Sequence, residues 1–233
     1  MITLAALLTA GVTARLGFWQ LDRAAQKDAL RSAIEERGRL PPLDGAVLAA
    51  DAAQASLQHH RRVTLVGRWA AEHTVFLDNR QLATPQPGFF VLTPLMLADG
   101  RAVLVQRGWA PRHPAERTRV PATPTPVDEV RIDGRIAPPP ARTFAIADEA
   151  RSRIRQNVDL DEFARETGLH LVPLSVLQLD PVTPPDGLLR AWPAAPAGQH
   201  RHLGYAFQWF GLSTLVVVLY VWFQFIQPRR GRR

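Results

Sequence analysis

The chain has 233 residues and no cysteine, which excludes disulfides, thiolate-bound metal and a cysteine nucleophile. Its formal charge of +7 rests almost wholly on arginine, because Lys27 is the only lysine and residues 229–233 alone hold four arginines. No basic patch interleaved with aromatics accompanies that excess, so nucleic acid is not an expected partner.

The chain opens on an apolar run over residues 1–14, resumed after Arg15 by Leu16-Gly17-Phe18-Trp19. A secretory signal peptide has a basic start and a small-residue cleavage site, and neither is clear here. The expectation is a first transmembrane helix over residues 1–20, with Arg15 snorkelling toward the surface. Residues 21–39 contain few helix breakers and many charges, which predicts a helical extension out of the membrane that Pro41-Pro42 stops. Trp19 and Arg23 stand one turn apart, a spacing that suits either a cation–π contact or an aromatic anchor beside a snorkelling base.

From residue 61 the apolar period shifts toward two. Strands are predicted over residues 62–69, 74–77, 89–97, 102–109 and 130–136, separated by Pro85, Pro87-Gly88, Asp99-Gly100 and a proline-rich loop at 121–126. Asp99-Gly100 between two apolar runs reads as a hairpin turn. Asp159, with Glu162 three residues on and Gly168 beyond, predicts one short capped helix over 159–167. Residues 171–179 form a last strand whose Pro173 points to a sheet edge, where a missing N–H is tolerated. Arg62 and Arg107, each beside a strand glycine, read as structural residues bracing turns, and Trp69 and Trp109 as core or partner-contact aromatics.

Residues 203–226 are uncharged and apolar, 24 residues that at ~1.5 Å each cover the ~30 Å hydrocarbon core of a bilayer. The segment is entered by Gln199-His200-Arg201-His202 and left by the arginines of the tail. Such a basic exit flank belongs on the cytoplasmic side, which puts the entry histidines at the outer boundary; Arg15, Arg23, Lys27 and Arg31 pull the other way. The expected fold class is therefore α+β: two transmembrane helices, 1–20 and 202–226, flank a β-rich extracytoplasmic domain over 40–197 with a minor helical part. A basic cytoplasmic tail occupies 227–233. Gly204 and Gly211, with Gly11 at similar depth, make a thin stripe expected to let the two spans approach closely.

His202, Tyr205 and Trp209 recur at i, i+3 and i+7, so they share one helix face near the outer surface. Two readings remain open. A neutral imidazole is a suitable axial ligand for haem iron, with a porphyrin between the spans and its propionates at the wet boundary; Arg201 could then meet a propionate in a bidentate fork. Alternatively Tyr205 and Trp209 are an interfacial aromatic belt, with His202 a surface histidine beside them. His200, about 200° around a regular helix from His202, reads as solvated. An enzyme reading finds no support: no serine lies in a nucleophile-elbow pattern, and His59, His60, His73, His113 and His170 show no metal-ligand spacing with carboxylates.

Several blocks, in order, carry a resemblance: Gly17-Phe18-Trp19-Gln20-Leu21-Asp22-Arg23 with Lys27; Arg62-Val63 with Gly67; Leu77-Asp78-Asn79-Arg80; Gly88 with Thr93-Pro94-Leu95; Val103 through the Gln106-Arg107-Gly108-Trp109-Ala110-Pro111 run; and His202-Leu203-Gly204-Tyr205-Ala206 with Trp209. The chain resembles the Surfeit locus protein 1 family. The resemblance implies a non-enzymatic assembly factor for cytochrome c oxidase, with two spans around a loop domain in the periplasm or the mitochondrial intermembrane space. It implies binding or handing over haem a for insertion into oxidase subunit I, through a histidine at the start of the second span that matches His202. On this reading Tyr205 and Trp209 line the porphyrin and Arg201 meets a propionate. Oxidase subunit I, a haem a synthase and membrane lipid are the implied partners, and a bacterial inner membrane the implied location. A scaffold that holds subunit I or the synthase without a cofactor is the alternative. This chain departs from the family pattern at His200 and Gln106, where asparagine is usual.

Overall fold

The computed structural model describes residues 1–82, 86–116, 118–141, 152–179, 185–192 and 199–227, with side chains from Arg201 in the last segment. The arginine tail and His200's side chain lie outside the described residues. The chain divides into two units, Met1–Ala33 with Ala194–Arg233, and Ile34–Pro193.

In the first unit α1 runs unbroken over Ile2–Gly38, its last turns entering the second unit's sequence, so one helix covers both the predicted span and its extension. Its partner α4, Gln199–Val221, ends in a π-helical turn over Trp222–Ile226. Among the described residues three cross-helix hydrogen bonds set the register. Tyr220 Oη donates to Thr3 Oγ1 at 3.1 Å, Ser213 Oγ to the Ala10 carbonyl at 3.0 Å, and His202 Nδ1 lies 2.7 Å from Gln20 Oε1. As residue numbers rise on α1 the partners' numbers fall in step, so the helices are antiparallel. Thr3 to Gln20 spans about 26 Å at ~1.5 Å per residue, close to the apolar thickness of a bilayer.

The close approach occurs at Gly17, where an added Cβ would stand 2.8 Å from the Phe210 ring. Phe18 also meets Phe210 edge to face, at 5.1 Å between centroids. The predicted glycine stripe does not make this contact: a Cβ at Gly11, Gly204 or Gly211 would meet nothing within 4 Å. Both helices are long and apolar enough to cross a membrane. Leu4, Leu7, Leu8 and Phe207 are left bare, Phe207 at 81% exposure, which is the surface a bilayer would cover.

The second unit is built on a closed barrel. Its strands are β1 (Leu43–Asp44), β2 (Arg62–Trp69), β3 (Val75–Arg80), β4 (Gly88–Leu97), β5 (Arg101–Pro111), β6 (Val130–Ala137), β7 (Ile154–Arg155) and β8 (His170–Gln178). Strands pair in the order β2-β6-β8-β5-β4, and the far half of β2 returns to β4 through Gly67↔Leu97, Arg68↔Met96 and Trp69↔Leu95. Five strands thus close on themselves, leaving no edge within the ring. β3 and β7 extend the sheet beyond β4, and β1 adds in parallel to the first half of β2.

Inward-facing Val63, Leu65, Val103, Val105, Ile132, Ile136, Leu174 and Val176 fill the barrel. One end is plugged by Leu48, Ala49 and Ala55, from the 3₁₀ turn and helix α2 (Ala52–Gln58), which periodicity did not predict. The predicted helix is α3, Leu160–Thr167. Asp159 accepts from the Asp161 and Glu162 amides, Gly168 ends it at φ 72°, and Leu160 and Phe163 pack on Leu92 and Leu104. Asp99-Gly100 makes the predicted hairpin, with Gly100 at φ 82°.

The expectation of an edge position for the last strand is overturned. β8 lies between β6 and β5. Its pairing with β5 slips between Leu171 and Ser175, and β6 pairs only with its Ser175–Gln178 half, so Pro173 sits in an irregular stretch of the ladder where no N–H is required.

Just past α2, Arg37 Nη1 donates to the His59 carbonyl at 3.1 Å, and His60 takes a left-handed φ of 71°. Burial, and next the charge of Arg37, hold the His59 imidazole below its ordinary pKa. Burial, then His59, Arg37 and Arg135, do the same for His60. Stability from these neutral rings is complete above the unfolded value of about 6.5 and is lost as pH falls through it toward the folded values. A His59→Gln/His60→Asn chain, whose asparagine tolerates the left-handed backbone, is expected to lose less Tm between pH 7.5 and 5.5 than the unaltered chain. Equal losses would remove these histidines from the acid response.

Candidate functional site

The first turn of α4 carries the predicted site, and the structure adds a residue from α1. His202 is half-buried, and its Nδ1 stands 2.7 Å from Gln20 Oε1. With the amide oxygen as acceptor, Nδ1 carries the proton and Nε2 is left as a bare acceptor. That tautomer is the one a metal-ligating histidine needs when its second nitrogen is fixed by a neighbouring carbonyl. The sequence held one sign of Gln20's role: it is an uncharged polar residue at the end of an apolar run, where an unpartnered amide is expensive.

Positive charge collects around this pair. Lys27, Arg201 and Arg23 all act electrostatically on His202. Arg23 stacks on Trp19 at 5.9 Å, making the cation–π contact its spacing allowed, and donates to Gln26 Oε1 at 3.1 Å. Arg201 is exposed at the mouth of α4. Tyr205 is exposed and Trp209 half-buried on the face that begins at His202. Among the described residues no hydrogen bond or ring contact joins Tyr205, Trp209 or Arg201 to His202, so these three share its helix face or its turn and are not assembled around it. Among the described residues there is also no group of three or more histidines and carboxylates placed to hold a metal ion.

The arrangement suits a planar ligand that brings its own metal and its own anions: one imidazole nitrogen is presented, cations stand beside it, and exposed apolar and aromatic surface follows along α4. A haem fits that donor set, since it needs one protein ligand on a face, charge partners for its propionates, and an apolar wall.

In the barrel unit, Arg107 is buried to 2% exposure on β5. Its Nη1 donates to Thr125 Oγ1 at 2.7 Å and its Nη2 to the Pro124 carbonyl at 2.8 Å, so it braces the proline loop as expected. Asp186 lies 3.5 Å from it and is shared with Arg190, while the guanidinium carbon sits 4.8 Å from the centre of the Trp69 ring. Trp109 is buried and donates its indole N–H to the Arg80 carbonyl at 2.9 Å.

The family model described as SURF1 family matches residues 7–214, a span that holds Gln20, Arg107 and His202. The SURF1-like protein of Rickettsia bellii is 25% identical over 93% of this chain and 88% of its own length. That of Rickettsia felis is 26% identical over 94% of each, and that of Monosiga brevicollis 25% identical over 95% of this chain and 86% of the relative. The Surfeit locus protein 1 of Arabidopsis thaliana is 27% identical over 48% of this chain and 34% of its own. With the match running from the first turns of α1 to the middle of α4, the chain belongs to the SURF1 family.

Proposed function

We propose that this chain is an assembly factor for cytochrome c oxidase that binds haem a at the start of α4 and hands it on for insertion into oxidase subunit I. It would act in a bacterial inner membrane with the barrel unit in the periplasm, and it would dock on subunit I and on a haem a synthase. The observation that carries the reading is the His202–Gln20 hydrogen bond, which orients the imidazole and, with the amide oxygen as acceptor, leaves Nε2 without a proton. Family membership supplies the biological setting.

Haem a, when bound, supplies the iron and the propionates. His202 would hold the iron through Nε2, and Gln20 would hold the ring against rotation and keep the proton on Nδ1. Arg201, Arg23 and Lys27 offer charge-assisted hydrogen bonds to carboxylates at the wet boundary. Tyr205 and Trp209 offer aromatic surface along the same face. One histidine would hold the iron through a coordination bond that can form and be released, which suits a cofactor that is held and then handed on; the chemistry asked of these residues is ligation and release, so the role we propose is delivery.

The test is a reduced-minus-oxidised spectrum of detergent-purified protein from a host that makes haem a. The unaltered chain should show a haem a band, His202→Ala should lose it, and Gln20→Leu should retain it with affinity lowered about 10- to 100-fold. A band of equal strength in His202→Ala would move the ligand elsewhere. No band in any of the three, with oxidase haem content still falling on deletion of the gene, would leave a cofactor-free scaffold.

A further inference from the structure

A charge stands inside the apolar part of α1. Arg15 interrupts that run five residues before Gln20, which sets its Cα about 7.5 Å inward of the His202–Gln20 pair at ~1.5 Å per residue. The residue is exposed, and among the described residues its side chain makes no hydrogen bond, ion pair or ring contact. An ionisable group at membrane depth is costly and marks a functional face, with a partner of opposite charge as its usual company.

Position, shape and charge together describe what meets it. Ala10, Gly17 and Gln20 face α4, and at about 100° per residue they lie roughly opposite Arg15, so the arginine belongs to the face of α1 turned away from α4. On that face lies a groove of about 840 Å³, lined by Gly11, Arg15, Phe18, Trp19 and Asp22 among others. Phe18 and Trp19 are exposed, and a Cβ at Gly11 would meet nothing within 4 Å, so the groove is open to the side chains and the backbone of a second helix. Asp22, also exposed and without an ion pair among the described residues, lines the same groove about 10.5 Å further out than Arg15. A headgroup phosphate drawn down to Arg15 would come up against this carboxylate. An acidic side chain at Arg15's own depth would not.

We infer that the face of α1 around Arg15 docks a transmembrane helix of another protein, one that carries a carboxylate at the depth of Arg15. The carboxylate accepts from the guanidinium in a bidentate fork, and in hydrocarbon that pair is stronger than in water. Apolar side chains of the same helix fill the groove beside Phe18 and Trp19, and its backbone passes close at Gly11. The inference rests on α1 crossing the membrane and adds a docking face to the assembly reading. It does not depend on haem ligation, because Gln20, which holds His202, lies on the other side of α1.

The test places the full chain in phosphatidylcholine vesicles with a synthetic transmembrane helix of leucine and alanine that carries one glutamate at the depth of Arg15 and a dansyl group at its outer end. Association is read as energy transfer from tryptophan, with a glutamine helix as the control. The glutamate helix is expected to associate about tenfold more tightly than the glutamine helix. Arg15→Leu, which leaves the contacts with α4 in place, should abolish that preference, and Arg15→Glu should transfer it to a helix carrying lysine; circular dichroism checks that both variants keep their helices. Equal association of the glutamate and glutamine helices, or an Arg15→Leu chain that still prefers glutamate, would overturn the inference. So would loss of the preference on adding phosphatidylglycerol, which assigns the guanidinium to a lipid headgroup, or self-association that Arg15→Leu abolishes, which assigns the face to a second copy of this chain. The haem a spectrum of the Arg15→Leu chain is expected to match that of the unaltered chain, so the two readings fail separately.

Discussion

Asp186→Ala is expected to destabilise the barrel unit by about 3–5 kcal/mol, the range for leaving a buried charge without its counter-charge. Two guanidinium groups depend on this one carboxylate. Arg107, at 2% side-chain exposure, lies 3.5 Å from it, and Arg190, at 10%, forms two hydrogen bonds to its oxygens. The carboxylate also accepts from the Leu188 amide at 3.1 Å, which shapes the segment whose Leu189 exchanges two 2.8 Å backbone bonds with Trp109. Removing the side chain therefore strands two cations and loosens the segment that closes over β5. Thermal unfolding of the full chain should show a large fall in Tm, and Asp186→Asn, which retains an acceptor for Leu188, a smaller one. A fall equivalent to less than about 1 kcal/mol would mean that water reaches both guanidiniums and that the ion pairs behave as surface pairs.

Local features of this fold were readable because they are set by neighbours in sequence. The alternation in residues 62–69 became β2 with the same bounds, the Asp159/Gly168 punctuation became the caps of α3, and Asp99-Gly100 became a turn. Non-local features were hidden. Pro173 suggested an edge because it lacks an N–H, and nothing in residues 171–179 reveals that a slipped ladder removes the need for one. The glycine stripe failed for the same reason: small residues permit close packing, and which of them is used depends on where the partner helix places Phe210. At the candidate site, His202 was visible as a histidine at the start of an apolar run. Gln20 lies 182 positions away, and only the antiparallel register of α1 and α4 brings it to the ring. Arg107 was visible and Asp186 was not, since an aspartate in a proline-rich loop reads as a turn residue until the chain folds back over β5.

Gly67→Val is expected to prevent the barrel from closing, with a loss above about 4 kcal/mol, the exceptional range for one substitution. A Cβ built at Gly67 would lie 2.1 Å from the Met96 carbonyl oxygen and 3.3 Å from Leu95 Cγ. The first of these is backbone, which cannot rotate aside. Gly67 also pairs with Leu97 in the three-residue seam that joins β2 to β4, the pairing through which, among the described residues, the five strands become a ring. Moving β2 outward to relieve the clash would break Arg68↔Met96 and Trp69↔Leu95 as well, exposing Leu65, Leu95 and Leu97 to water and carrying Trp69 away from Arg107. Limited proteolysis of the full chain in detergent should then cut within residues 34–193 at protease levels the unaltered chain survives, while the helices of the first unit stay intact by circular dichroism. A barrel as resistant as the original would show that the seam can widen by a bulge and that closure rests on the core and not on the β2–β4 pairing.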